Sequence, residues 1–440
     1  MTDEPTTAES DPAPAAEPAT DPAPEGDPVA EQHAAPDVDA VQEGEAGSEP
    51  EGAGEPEPAA AVEPEPAAIP EPEVQDDPDP LDLLRERIEM PDDAIAEAAK
   101  ARQATLLKPA GSLGRLEDVA AWFAAVQGSS PPHDFRRARA IIFAADHGVA
   151  AANVSSYPAD ATGKLLAAMT AGGAAVNVLA DIAGATVRLV DVGVDADTPP
   201  DISALKVRRG SDRIDRGPAL TSEEARRAVE AGIQVVDEEV DAGADLLILG
   251  DVGVANSTPA AVLIAVCLGS EPTAVTGRGS GIDDAAWMRK VVAVRDALRR
   301  GRRHRYEAVD LLASSGGADI AAMTGFLLQA AVRRTPVLLD GVVSAAAALV
   351  ARDTAYDASS WWFASHRSDE PGHIAALESL GLEPLLDLGI RLGQGTGGLI
   401  ALPLIRAAVR TLAETSTLAD AGLDAEVDED IRYRRTEETQ

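Results

Sequence analysis

A single cysteine, Cys267, occurs in 440 residues, so no intrachain disulfide can form. It lies in the apolar stretch AAVLIAVCLG and reads as a buried core thiol, which suits a cytoplasmic location. Aromatic residues make up only 3% of the chain and no basic face stands out, which argues against nucleic acid as a partner. Lys and Arg are missing from the first 80 residues, which hold 24 acids, 17 of the 31 prolines and no aromatic residue. Such a segment buries too little apolar surface to offset its ordering entropy, so residues 1–79 are expected to be a disordered acidic, Pro-rich tail. The formal charge of −38 is concentrated there, since the remainder has 51 acids against 37 bases. No apolar run reaches the roughly 18 residues of a membrane span, and the N-terminus lacks a secretory n-region and h-region. HExxH and Cys/His zinc spacings are absent, so no protein metal site is expected. There is no GxSxG elbow. No GxGxxG follows a strand with an acid at the expected distance, which disfavours a nicotinamide-dependent oxidoreductase.

What the chain does have is a repeated local event. Five times an apolar run ends in a polar, Gly-rich turn: ARAIIFAADHG, DLLILGDVGVANSTPAA, PTAVTGRGSG, AVDLLASSGGAD and TPVLLDGVV. Short continuous apolar runs bounded by turn signals suit buried parallel strands, and TVRLVDVGVDA reads as a further strand. Helical patterns such as TGKLLAAMTAGGAAVNVLADIAG and SEEARRAVEAGIQVVDEEVDAG separate them, the latter capped by Thr221 or Ser222. The expected fold is α/β, a doubly wound, mostly parallel, Rossmann-like sheet over residues 139–351. Residues 80–135 and about 361–423 are expected to add a smaller helical region, and residues 424–440 a charged C-terminal tail. Glycines and polar groups at strand ends place the chemistry in a crevice at one edge of the sheet.

The strongest anion loop is LGDVGVANSTPAA, where Gly253 and Asn256 precede a helix start at Ser257-Thr258-Pro259. GRGSGIDDAAWMRK adds Gly277, Arg278, Gly279, Ser280, Gly281 and Lys290, bare backbone and cations that suit a phosphate. Gly316 and Gly317 close another run, and RLGQGTGG gives a third glycine-rich loop around Gln394. Asp146-His147 ends the first strand, while His366 and His373 flank RSDEPG. The turn Ser155-Ser156-Tyr157-Pro158 offers an aromatic surface to a flat ligand.

Taken in order, KPAGSLGRLEDVA, FAADHGVAAANVSSYPADAT, LGDVGVANSTPAAVL, GRGSGIDDA and SHRSDEPGHIAALESLGLEPLLDLGIRLGQGTGG resemble the nicotinate-nucleotide:dimethylbenzimidazole phosphoribosyltransferases, over roughly residues 85–423. The resemblance implies transfer of phosphoribose from nicotinate mononucleotide to a benzimidazole-type base in cobalamin nucleotide-loop assembly. It implies no cofactor, a homodimer, and a base site that includes Val252 and Leu392 beside Ser155–Pro158. The family's proton-accepting Glu in RLGEGTGA corresponds to Gln394, and the Glu of GEMGIGNTT corresponds to Asp251. An amide keeps a hydrogen-bond acceptor but is no general base at neutral pH. The alternative reading is therefore a catalytically impaired paralogue that binds nucleotide or base and regulates a partner.

Overall fold

The computed structural model describes residues 80–423. The expected tails, 1–79 and 424–440, lie outside the described residues.

Five strands form one parallel sheet: β1 (Ala138–Ala145), β2 (Thr186–Gly193), β3 (Leu246–Val252), β4 (Val337–Leu339) and β5 (Trp362–Ala364). Their order is β2-β1-β3-β4-β5. The chain leaves β1 for β2 on one side and returns to place β3 on the other, so the strand order reverses between β1 and β3. Every residue of β3 is buried, which requires helices over both faces of the sheet. This is the expected doubly wound architecture. Helix Ser222–Asp241 begins at a capping box: Thr221 Oγ1 accepts from Glu224 N at 3.1 Å while Glu224 Oε2 accepts from Thr221 N at 2.9 Å.

Three expectations need correction. PTAVTGRGSG and AVDLLASSGGAD are not strands, because Pro272–Val275 is a helical turn and Ala308–Ser315 a helix. A short apolar run carries no period that separates a buried helix from a buried strand. TGKLLAAMTAGGAAVNVLADIAG is two helices, Ala161–Thr170 and Ala175–Ala183, broken at Gly172-Gly173. The region from about 361 opens with β5, the edge strand of the main sheet, before turning helical. The N- and C-terminal helices of the described chain do pack together. Arg102 Nε donates to the Leu412 carbonyl at 3.0 Å, and Leu106 bridges antiparallel to Thr417.

Two stretches, Ala161–Ala183 and Thr396–Glu414, are long and apolar enough to cross a membrane. The glycine break divides the first, and the second carries Arg406 and Arg410 and packs on helix Arg115–Gln127 and β3.

Candidate active site

A cleft of about 520 Å³ opens beyond the C-terminal end of β3, where the strand order reverses. Asp251, next to last in β3, lies on its wall with a carboxyl that is almost wholly buried. Asn256 Nδ2 donates to Asp251 Oδ2 at 2.6 Å. The loop that bears Gln394 crosses directly over β3. It can do so because residue 250 is glycine: a Cβ there would stand 2.4 Å from Gly395 N. Gln394 N donates to the Asp251 carbonyl at 3.0 Å.

Gly393, Gln394 and Gly395 are all left-handed, with φ of 76°, 63° and 71°. For glutamine that conformation costs about 1–2 kcal/mol, so the surroundings must impose it. Asp340, at the tip of β4, does this. Its Oδ2 accepts from Gly395 N at 2.9 Å and its Oδ1 from Gly397 N at 2.8 Å. His366 stands behind it, Nδ1 lying 3.6 Å from Asp340 Oδ1.

Gly279 and Ser280 of the Gly277–Gly281 loop also line the cleft. Lys290, buried behind that loop, donates from Nζ to Ser257 Oγ at 2.9 Å and to the Gly277 carbonyl at 3.0 Å. One ammonium thus ties the glycine loop to the start of helix Ser257–Leu268. Ser280 carries the third element: Ser156 N donates to Ser280 Oγ at 3.0 Å, and Ser156 Oγ donates to the Ser280 carbonyl at 3.0 Å.

Burial dominates the electrostatics. It pushes the Asp251 carboxyl up to about 8, helped by the nearby charges of Asp340 and Asp319 and opposed by the Asn256 hydrogen bond. Burial also pulls the Lys290 ammonium down to about 8, against the attraction of Glu370. For His147 burial acts against protonation, but Asp319 at 3.1 Å, with Asp146 and Asp251 beyond, outweighs it and raises the imidazole's pKa.

The structure brings Asp251, Val252, Gly253, Asn256, Gly279, Ser280, Ser155, Tyr157, Leu392 and Gln394 to this one cleft. Gly277, Arg278 and Gly281 face a neighbouring cleft on the far side of their loop, with Trp287 and Met288. Ser156 fastens the base-side turn to Ser280, Pro158 is exposed beside it, and Lys290 lies beneath the loop rather than on its surface. Gly316 and Gly317 are elsewhere. The Gly317 Cα packs on the His147 ring, where a Cβ would come within 2.4 Å of Cε1. Away from the cleft, ligand atoms of His304, Glu307 and Asp310 lie within 4.8 Å of one another.

Sequence reasoning gave Asp340 only as the polar tip of TPVLLDGVV and did not single out Glu370 or Arg391. Glu370 and Arg391 line both clefts, and Glu370 Oε1 accepts from Gly279 N at 2.7 Å. The run Ser368-Asp369-Glu370-Pro371 reads simply as a helix start, which hides the reach of Glu370 into another loop.

Sheet order and crevice position define an α/β protein with its cleft at a topological switch point. The chain belongs to the phosphoribosyltransferase family, whose model matches residues 88–423. It is 57% identical over 337 residues to the nicotinate-nucleotide–dimethylbenzimidazole phosphoribosyltransferase of Mycobacterium avium (strain 104), covering 76% of this chain and 97% of that protein. The protein of the same name from Mycobacterium tuberculosis (strain ATCC 25618 / H37Rv) is 55% identical over 337 residues, covering 76% and 93%. The crystal structure of CobT from Thermus thermophilus superposes with a TM-score of 0.72 at 40% identity, covering 76% of this chain and all of that one.

Proposed function

We infer that this chain transfers the phosphoribosyl group of nicotinate mononucleotide to dimethylbenzimidazole, releasing nicotinate and forming α-ribazole phosphate, in cobalamin synthesis. Family membership and the named relatives support the reaction. The observation that carries it to particular residues is that one cleft joins an acid, Asp251, to the glycine loop backed by Lys290. The kinship does not favour the regulatory-paralogue reading.

In the reaction the lone pair of one benzimidazole nitrogen forms a bond to the anomeric carbon as the nicotinate bond breaks. The ring then sheds the proton from its other nitrogen. Catalysis needs the phosphate held, the ring aligned and that proton accepted. The phosphate sits among Gly253, Asn256, Gly279 and Ser280, with Lys290 behind. The base lies against Tyr157, Val252 and Leu392, held by the Ser155–Pro158 turn. The Gln394 amide lines the base site but cannot take the ring proton. Asp251 takes it: a carboxyl poised near pH 8 is a far stronger base than an ordinary aspartate and ionises close to neutrality.

Nicotinate release followed by HPLC tests this. Wild type should turn over with dimethylbenzimidazole, its rate rising as pH passes through about 8, where Asp251 ionises. Asp251→Asn should lose that arm and roughly 10²–10⁴-fold in rate. Absence of nicotinate release by wild type overturns the reaction, and an unchanged pH profile in Asp251→Asn overturns the assignment of the base. A homodimer, as the family resemblance implies, in the cytoplasm, as the single cysteine suggests, completes the reading; a monomer by light scattering overturns the first part.

A further inference from the structure

The Gly277–Gly281 loop has the features of an anion nest, and the protein's own carboxylate already occupies it. Gly279 N donates to Glu370 Oε1 at 2.7 Å. A Cβ on residue 277 would lie 1.9 Å from Glu370 Oε2, so this glycine leaves room for that carboxylate. Lys290 Nζ is close behind, 3.4 Å from where a Cβ of residue 279 would be, and Glu370 is the charge that acts on it. Glu370 precedes Pro371 at the start of helix Pro371–Leu380, where an acid ordinarily caps its own helix, yet its side chain makes no such cap. It reaches the Gly277–Gly281 loop instead.

Two anions cannot share one backbone donor. The placement of the phosphate argued under Proposed function, on which this step rests, puts it at the same Gly279 N–H. We propose that Glu370 is a resident anion that keeps the phosphate nest closed to weakly held ligands, and that the nucleotide phosphate displaces it toward Arg391. Arg391 supplies the landing place. It lines both clefts, as Glu370 does, and its Nη1 already donates to the Gly279 carbonyl at 2.9 Å. A phosphate dianion brings more charge and more acceptors than the carboxylate it replaces, whereas free nicotinate brings one carboxylate and gains nothing by the exchange. Glu370 is in this sense a specificity-determining residue: it makes the nest selective for phosphate over carboxylate ligands.

The test is calorimetric binding of inorganic phosphate, nicotinate mononucleotide and nicotinate riboside to the full chain and to its Glu370→Gln and Glu370→Ala variants. Glu370→Gln removes charge but keeps shape. Both variants should bind inorganic phosphate and the nucleotide at least about tenfold more tightly, the expected relief of a like-charge contact. Their affinity for the riboside, which has no phosphate, should not change. Phosphate affinity that is unchanged or weaker in both variants overturns the proposal. Wild-type protein crystallised with nicotinate mononucleotide decides the matter without a variant. A phosphate oxygen on Gly279 N with Glu370 moved off it is expected, and Glu370 still on Gly279 with the phosphate elsewhere refutes it. Normal nicotinate release with no affinity shift defeats the role of Glu370 alone. Tighter phosphate binding without nicotinate release defeats the transferase reading alone.

Discussion

Ala255 and Gln394 both hold left-handed backbone, with φ of 68° and 63°, and both line the cleft. Ala255 follows β3 in a turn where glycine would be unstrained. Ala255→Gly should relieve about 1–2 kcal/mol of steric cost. Glycine's extra unfolded-state entropy returns about 0.4–1 kcal/mol of that. A net gain between zero and about 1.6 kcal/mol is expected in denaturant unfolding; a loss would mean that the Ala255 methyl packs usefully in the cleft wall. Gln394 differs because it lines the proposed base site. Gln394→Glu should raise the rate of benzimidazole transfer at least about tenfold, less than the full general-base range because Asp251 already serves. The check is nicotinate release at saturating substrates across pH. Equal rates with equal pH profiles would show that position 394 does not limit turnover.

Among the helices, Ser222–Asp241 crosses Ala318–Val332 backbone to backbone. A Cβ at residue 232 would lie 1.8 Å from the Ala322 carbonyl oxygen, and one at residue 325 would lie 2.3 Å from the Val229 oxygen. Gly325→Ala must therefore force the pair apart, at an expected cost of about 3 kcal/mol by urea denaturation. A loss too small to measure would show that the helices part freely. Legibility also varied by element. β1 to β4 were readable because each is a short apolar run ending in a turn. Residues 308–315 have the same look but form a helix, and β5, though as long as β4, is followed by Ser365-His366-Arg367 with no glycine turn to mark its end. The glycine loops, Asp251 and Gln394 were readable because their own neighbours in sequence are unusual. Asp340 was readable as a polar strand tip, but its role was not, nor was Glu370, because each acts on the backbone of another segment: Asp340 on Gly395 and Gly397, Glu370 on Gly279. Such long-range roles leave no local pattern.

For the molecule as a whole, buried groups set opposing pH slopes. Asp251 stays protonated in the fold up to about 8 but ionises near its usual 3.8 when unfolded. The native state therefore binds the extra proton between those values, and this group's stabilisation is lost as pH rises through that window. His373 has the reverse sign. Burial, with His366 beside it, pulls its pKa from 6.5 down to about 3, so stability falls as pH drops from 6.5 toward 3. Lys290, lowered from 10.5 to about 8, restores stability as pH climbs through that range. Each slope is at most about 1.4 kcal/mol per pH unit. The first two oppose each other between 3.8 and 6.5, His147 with its raised pKa adds to the fall from Asp251 above 6.5, and Lys290 opposes them above about 8. The melting temperature of Asp251→Asn relative to wild type should therefore climb steadily from pH 4 to pH 8. A constant difference across that range would mean that Asp251 ionises normally in the folded protein.

The hold of Asp340 on Gly395 and Gly397 has a practical consequence. The path of the chain at residue 394 is decided from both sides, by β3 beneath and by β4 through its terminal carboxylate. Whatever side chain occupies that position is presented to the ligand from a fixed mounting. Position 394 is thus a socket, and a panel of substitutions there would vary the functional group while leaving its point of attachment constant. Acid, amide and alcohol can there be compared against the proposed base from one point of attachment.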